Sequence, residues 1–232
     1  MQAPVSTLIL GIGNILWADE GFGVRAVDML HRQYEFPDNV KLMDGGTQGI
    51  YLVHHVQAAN ILVVFDAIDY GLEPGTLKLI EGDSVPKYLG AKKMSLHQTG
   101  FQEVLAMAEM LGSYPEHILL VGVQPVQLDD YGGSLRPEIK ARIRPALEAA
   151  LTWLAGHDIH ATVRACPLPE SQSIAGAEIE MARYEEQRPS ESEACRVGDV
   201  RVLASDEYIV APRPYPLDPE ALSVDVDHRG KY

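Results

Sequence analysis

Apolar residues fall into two kinds of pattern along the chain. Leu8 to Leu10, Val40 to Met43, Ile61 to Phe65 and Ile118 to Val123 are short runs with few or no charges. Runs of that length, rich in β-branched residues, predict strands covered on both faces. Helical periods lie between them. Val24, Val27, Met29, Leu30 and Tyr34 form one, Leu52, Val53 and Val56 a shorter one, and Phe101, Val104, Leu105, Ala108 and Leu111 share a third face, with Gly112 as its stop. Pro137 opens a last helix through Ile143, Leu147, Leu151 and Leu154, closed by Gly156. Pro145 inside that period predicts a kink or a second start. Thr76 to Ile80 alternate polar and apolar, as in a more exposed, antiparallel edge strand, and Val85 to Leu89 read as a short helical turn. Strands alternating with helices predict an α/β fold: three layers, with a mostly parallel twisted sheet flanked by helices.

The pattern changes near residue 161. Seven of the 15 prolines lie beyond that point and apolar periodicity fades, leaving only Val197 to Ala204 and Tyr208 to Val210 as short strand-like runs. Residues 1–160 therefore read as the α/β domain. Residues 161–232 read as a Pro-rich acidic C-terminal appendage, partly disordered.

Charge narrows the partners. A formal net charge of −14 excludes nucleic acid and anionic membranes and favours a basic protein segment. Cys166 and Cys195 form no CxxC and no zinc spacing, and the 1–160 core holds no cysteine, so a core thiol nucleophile is excluded. There is no GxSxG elbow and no GxxxxGK[ST] loop. No stretch approaches the roughly 18 apolar residues of a membrane span, and the start has no basic leader. The expectation is a cytoplasmic protein, monomeric by default.

The candidate chemistry follows the strands. Leu8 to Leu10 run into Gly11-Ile12-Gly13 and then Asp19-Glu20, just before a helix, where one acid is expected as the N-cap. A dinucleotide fingerprint would need glycine at position 16, and Leu16 stands there. Thr47, after Asp44-Gly45-Gly46, is expected to cap the second helix. Glu20 follows the first strand, Asp66 ends the third, and His97 precedes a helix. Neighbouring parallel strands lie about 4.8 Å apart, so groups at their ends can converge on one small ion. Two carboxylates and an imidazole suit a divalent first-row metal with positions left for water or substrate. Each also has an ordinary role: Glu20 as a cap, Asp66 as a solvated strand-end acid, His97 as a helix-start residue. Asp44, Asp69 and the His54-His55 pair are weaker candidates.

Taken together, Gly11-Ile12-Gly13-Asn14-Ile15-Leu16, Asp19-Glu20-Gly21-x-Gly23, Asp44-Gly45-Gly46-Thr47, Asp66-Ala67-Ile68, His97-Gln98 and Leu120-Val121-Gly122-Val123-Gln124-Pro125 resemble the nickel–iron hydrogenase maturation proteases. The resemblance covers roughly residues 5–157. It implies an endopeptidase that removes a C-terminal extension from the hydrogenase large-subunit precursor after nickel insertion. The nickel belongs to the precursor and is the recognition signal, with no tightly bound cofactor in the protease. The family's metal-contacting acid, acid and histidine map to Glu20, Asp66 and His97, which makes these the expected catalytic and metal-contacting residues. The resemblance also implies a twisted sheet flanked by helices. Two other readings stay open at this point: a hydrolase with its own zinc or manganese, and a non-enzymatic nickel-sensing chaperone of the precursor.

Overall fold

The computed structural model describes residues 6–89 and 100–188. Strands β1 (Thr7–Ile12), β3 (Val40–Gly46), β4 (Ile61–Ala67) and β6 (His117–Val123) run parallel, and β5 (Leu77–Glu81) joins the edge antiparallel to β6. The order across the sheet is β3-β1-β4-β6-β5. The alternation read from Thr76 to Ile80 thus marks the antiparallel edge.

Period-two alternation splits the core in two. Ile61, Val63, Phe65 and Ala67 of β4 face helices α1 (Phe22–Gln33) and α5 (Pro137–Ala155), burying Phe22, Ala26, Val27, Leu30, Ile139, Ile143 and Leu147 with them. Leu62 and Val64 face the other layer, built from α2 (Val53–Gln57), α3 (Val85–Leu89) and α4 (Phe101–Met110). The three-layer α/β architecture expected from the sequence is the one observed. Helix α4 ends one residue sooner than its period implied; Leu111 is its C-cap residue and 55% exposed. Helix α5 is continuous through Pro145, with no second start. Pro145 and Ala141, whose carbonyl the proline leaves without its helical donor, both lie on the exposed side, where water can serve that carbonyl.

Packing does not stop at residue 160. The two-stranded pair β2 (Tyr34–Glu35) and β7 (Thr162–Val163) joins the end of α1 to the segment that follows α5. From there the chain returns along α1: Arg164 N and Leu168 N donate to Gln33 O and Arg32 O, at 2.8 and 2.9 Å, and Ile174 N donates to Asp28 Oδ1 at 2.8 Å. Arg32 pairs with Glu180 at 2.7 Å, and Glu180 caps α6 (Met181–Gln187) by accepting from Ala182 N and Arg183 N. The first part of the appendage expected after residue 160 is thus a strap along α1 that reaches Arg188. The strand-like runs at 197–204 and 208–210 lie outside the described residues. Among the described residues no helix is long and apolar enough to cross a membrane.

Candidate active site at the carboxyl edge of the sheet

β1 and β4 are neighbours in the middle of the sheet, and the chain leaves β1 for β3 on one side and takes up β4 on the other. Ligands of open α/β sheets bind in the crevice that such a reversal leaves at the carboxyl ends of the strands. Glu20 and Asp66 are both there. Asp66 is the last residue but one of β4, opposite Gly122 of β6, and is 2% exposed. Glu20 lies in a 3-10 turn, Ala18–Gly21, and is 6% exposed.

Glycines bring the turn this close. A Cβ on Gly13, which has φ +132°, would lie 1.8 Å from Glu20 O, so the Glu20 backbone rests directly on the residue that follows β1. A Cβ on Gly23 would lie 2.2 Å from Phe65 O, the carbonyl just before Asp66, and 2.3 Å from Ile12 O. The start of α1 is thereby wedged between the ends of β1 and β4 with no side chain in the way.

The expected N-cap does not form. Gly21 is the N-cap residue of α1 and no side chain caps the helix. Asp19, 0% exposed, is turned to a different task. Its Oδ2 accepts from Val126 N and Gln127 N at 2.9 and 2.8 Å, and its Oδ1 accepts from Arg136 N at 2.7 Å. One carboxylate therefore fixes the long connection between β6 and α5 against the Glu20 turn. Asp19→Ala would orphan three backbone N–H groups in a buried place and is expected to cost on the order of 3 kcal/mol. Urea titration checks that figure, and faster amide exchange at Val126, Gln127 and Arg136 is the accompanying sign. Gln124, also buried, does the same for the connection after β4: its Oε1 accepts from Tyr70 N and Leu72 N at 2.8 and 3.1 Å, and its Nε2 donates to Asp69 Oδ1 at 3.0 Å.

The weaker candidates separate. Asp69 belongs to that Gln124 network. Asp44 is on β3 opposite Gly11, beside the site, and burial pushes its carboxyl upward against the Gly46 backbone bond and the nearby Arg25 charge. His54 and His55 stack at 3.8 Å, and His55 Nδ1 lies 3.2 Å from Lys41 Nζ. Lys41 pairs opposite Leu8 in the first half of β1, which places these histidines away from the Glu20 edge. The Thr47 cap is absent: the turn at Gly49–Leu52 has Gln48 before it and no side-chain cap bond. His97 lies outside the described residues; in sequence it precedes α4, which packs on the Leu62 and Val64 face of β4. Alternation assigns Asp66 to that same face. Among the described residues no three His, Cys, Asp or Glu side chains gather as a metal-binding group.

A family model, HycI hydrogenase maturation protease, matches residues 24–153. The chain belongs to the hydrogenase maturation protease family. The protease is 60% identical over 205 residues to the hydrogenase expression/formation protein HupD of Thiocapsa roseopersicina, a match that spans 88% of this chain and 93% of that one. It is 39% identical over 158 residues to the hydrogenase 2 maturation protease of Escherichia coli K12, covering 68% of this chain and 95% of the relative. Among solved structures, the hydrogenase maturating endopeptidase HybD of E. coli superimposes with a TM-score of 0.66 at 37% identity, covering 69% of this chain and 99% of its own. The enzyme is thus a peptidase, as the sequence motifs implied. Nearly all of the E. coli structure is matched, while nearly a third of this protease has no counterpart in it.

Proposed function

We propose that this peptidase removes a C-terminal extension from the large-subunit precursor of a nickel–iron hydrogenase, that the nickel arrives bound to the precursor, and that Glu20, Asp66 and His97 contact it there. The observation that carries the reading is the placement of two buried acids, Glu20 and Asp66, at the carboxyl ends of the two central strands. Carboxylate oxygens are suitable ligands for a divalent first-row cation. A divalent cation delivered by the substrate would be shared with these acids, and its absence from an unready precursor would leave the site incomplete. Cleavage would then depend on a ligand that only the correct substrate supplies.

The chemistry asked of the site is hydrolysis of one peptide bond. A cation held by the acids polarises the scissile carbonyl, or lowers the pKa of a water it binds. A carboxylate not engaged on the cation can take the proton as the water attacks. The reading also takes the protease to work as a monomer in the cytoplasm.

The test is mass spectrometry of a large-subunit precursor incubated with the protease, nickel-loaded and nickel-free in parallel. Loss of C-terminal mass only in the loaded sample is expected. Equal cleavage of both would remove nickel as the signal; no cleavage of either would remove the precursor as the substrate.

A further inference from the structure

Around the acids, the loops leaving the parallel strands carry exposed apolar side chains: Leu16 after β1, Ile50 and Tyr51 after β3, Leu72 after β4, and Val126 and Tyr131 after β6. Trp17 and Tyr131 form the best-defined part of this rim, with ring centroids 5.3 Å apart at 59°. The two are joined by backbone as well, through a bridge between Trp17 and Tyr131 and a 2.7 Å bond from Gly132 N to Leu16 O. Trp17 is tied to the site directly, since its carbonyl accepts from Glu20 N at 3.0 Å.

Tyr131 is 49% exposed, and the loop beneath it is held from two sides. Asp19 holds the connection from within. From outside, α6 reaches the neighbouring residues: Tyr184 Oη donates to Gly133 O at 3.2 Å, Arg188 Nη1 donates to Gly132 O at 3.4 Å, and Ser134 Oγ donates to the Glu185 carboxylate, which also pairs with Lys140. The strap itself is anchored on α1 by Arg25, Asp28 and Arg32. It lies beyond residue 153, where the family match ends.

We propose that the strap 164–188 is a specificity element: through α6 it fixes the Trp17–Tyr131 pair as one wall of the surface on which the hydrogenase precursor docks. This rests on the cleavage reading above. An enzyme that cuts a single bond in a large folded partner must draw selectivity from contacts outside the reacting atoms. A half-exposed Tyr131 packed on a more buried Trp17, next to the Glu20 turn, is the kind of anchor that supplies it. The strap acts on Tyr131 more than on Glu20, because Glu20 is seated independently against Gly13. Tyr131 and Trp17 therefore contribute to binding, and α6 is a positioning element.

The experiment compares wild type with Tyr131→Ala, Tyr131→Phe and the double variant Tyr184→Phe/Glu185→Gln. Both kinetics on nickel-loaded precursor and direct binding of that precursor are measured. Tyr131→Ala is expected to raise KM and the precursor Kd by about ten-fold with a smaller change in kcat, and Tyr131→Phe to restore most of the loss. The double variant is expected to raise both by several-fold and to speed amide exchange at Gly132 and Gly133. Either of two results overturns the proposal: Tyr131→Ala within about two-fold of wild type in KM and Kd, or exchange at Gly132 and Gly133 unchanged in the double variant. A wild-type protein that binds the precursor without cutting it would sink the cleavage reading alone, and the Kd series would still decide the role of the wall.

Discussion

Glu20→Gln and Asp66→Asn should each stop precursor processing while leaving the fold in place. Both replacements keep size and shape and remove only the negative charge. Neutral amides hold a divalent cation far less well than carboxylates, and neither can accept a proton from attacking water. Where the lost group serves as general base, the expected fall in rate is on the order of 10²- to 10⁴-fold. Folding has no comparable reason to suffer. The two positions are buried at 6% and 2% exposure, and each amide fills the volume of the carboxylate that it replaces. Unfolding midpoints close to wild type are therefore expected alongside the loss of cleavage. The measurement is the quantity of processed precursor against time, with the melting curve of each variant beside it. Near-normal processing by both variants would show that these acids are structural. Normal processing by one would leave the cation to the other acid and to His97.

Much of this site could be read from the sequence because its acids follow strands that announce themselves. Ile61 to Phe65 can hardly be anything but a covered strand, and Asp66 is the first charge after it. Asp19 was legible as important but not for what it does. A helix start three residues away suggests a cap, whereas its actual donors, Val126, Gln127 and Arg136, lie more than a hundred residues along the chain. No local pattern can point to them. The same holds for Gln124, whose partners are Tyr70, Leu72 and Asp69. The strap was missed for another reason. It is held to α1 mainly by polar links, Arg32 to Glu180 and Ile174 N to Asp28, rather than by an apolar face, so it has no hydrophobic period to betray it. Trp17 and Tyr131 meet where Asp19 and the backbone bond from Gly132 N to Leu16 O hold the distant loop against the first one.

Gly23→Ala is the second replacement with a large expected effect, and its sign is what makes it informative. Within an ordinary helix the change from glycine to alanine stabilises by roughly 1 kcal/mol. Here the helix is α1, and the new methyl would fall 2.2 Å from Phe65 O, 2.3 Å from Ile12 O and 2.7 Å from Ile12 N. All three atoms are backbone of β1 or β4, whose register is fixed by pairing from Thr7 opposite Ile61 to Gly11 opposite Phe65. No side chain can swing aside. Either α1 lifts away from the sheet or the central strands part, and overpacking of this sort costs about 1–3 kcal/mol or more. The displaced end of α1 directly follows the turn that carries Glu20, so activity should fall further than stability. A shift of about 1 Å in a reacting group can cost on the order of 100-fold in rate. Gly21→Ala is the control, because its nearest neighbour, Ile15 Cα at 3.0 Å, is farther off than any of these three atoms. Chemical denaturation of the two variants should therefore show Gly23→Ala clearly below wild type and Gly21→Ala much less affected. A Gly23→Ala protein more stable than wild type would mean that α1 does not enter the crevice between β1 and β4, and the seating of the Glu20 turn at that edge would fall with it.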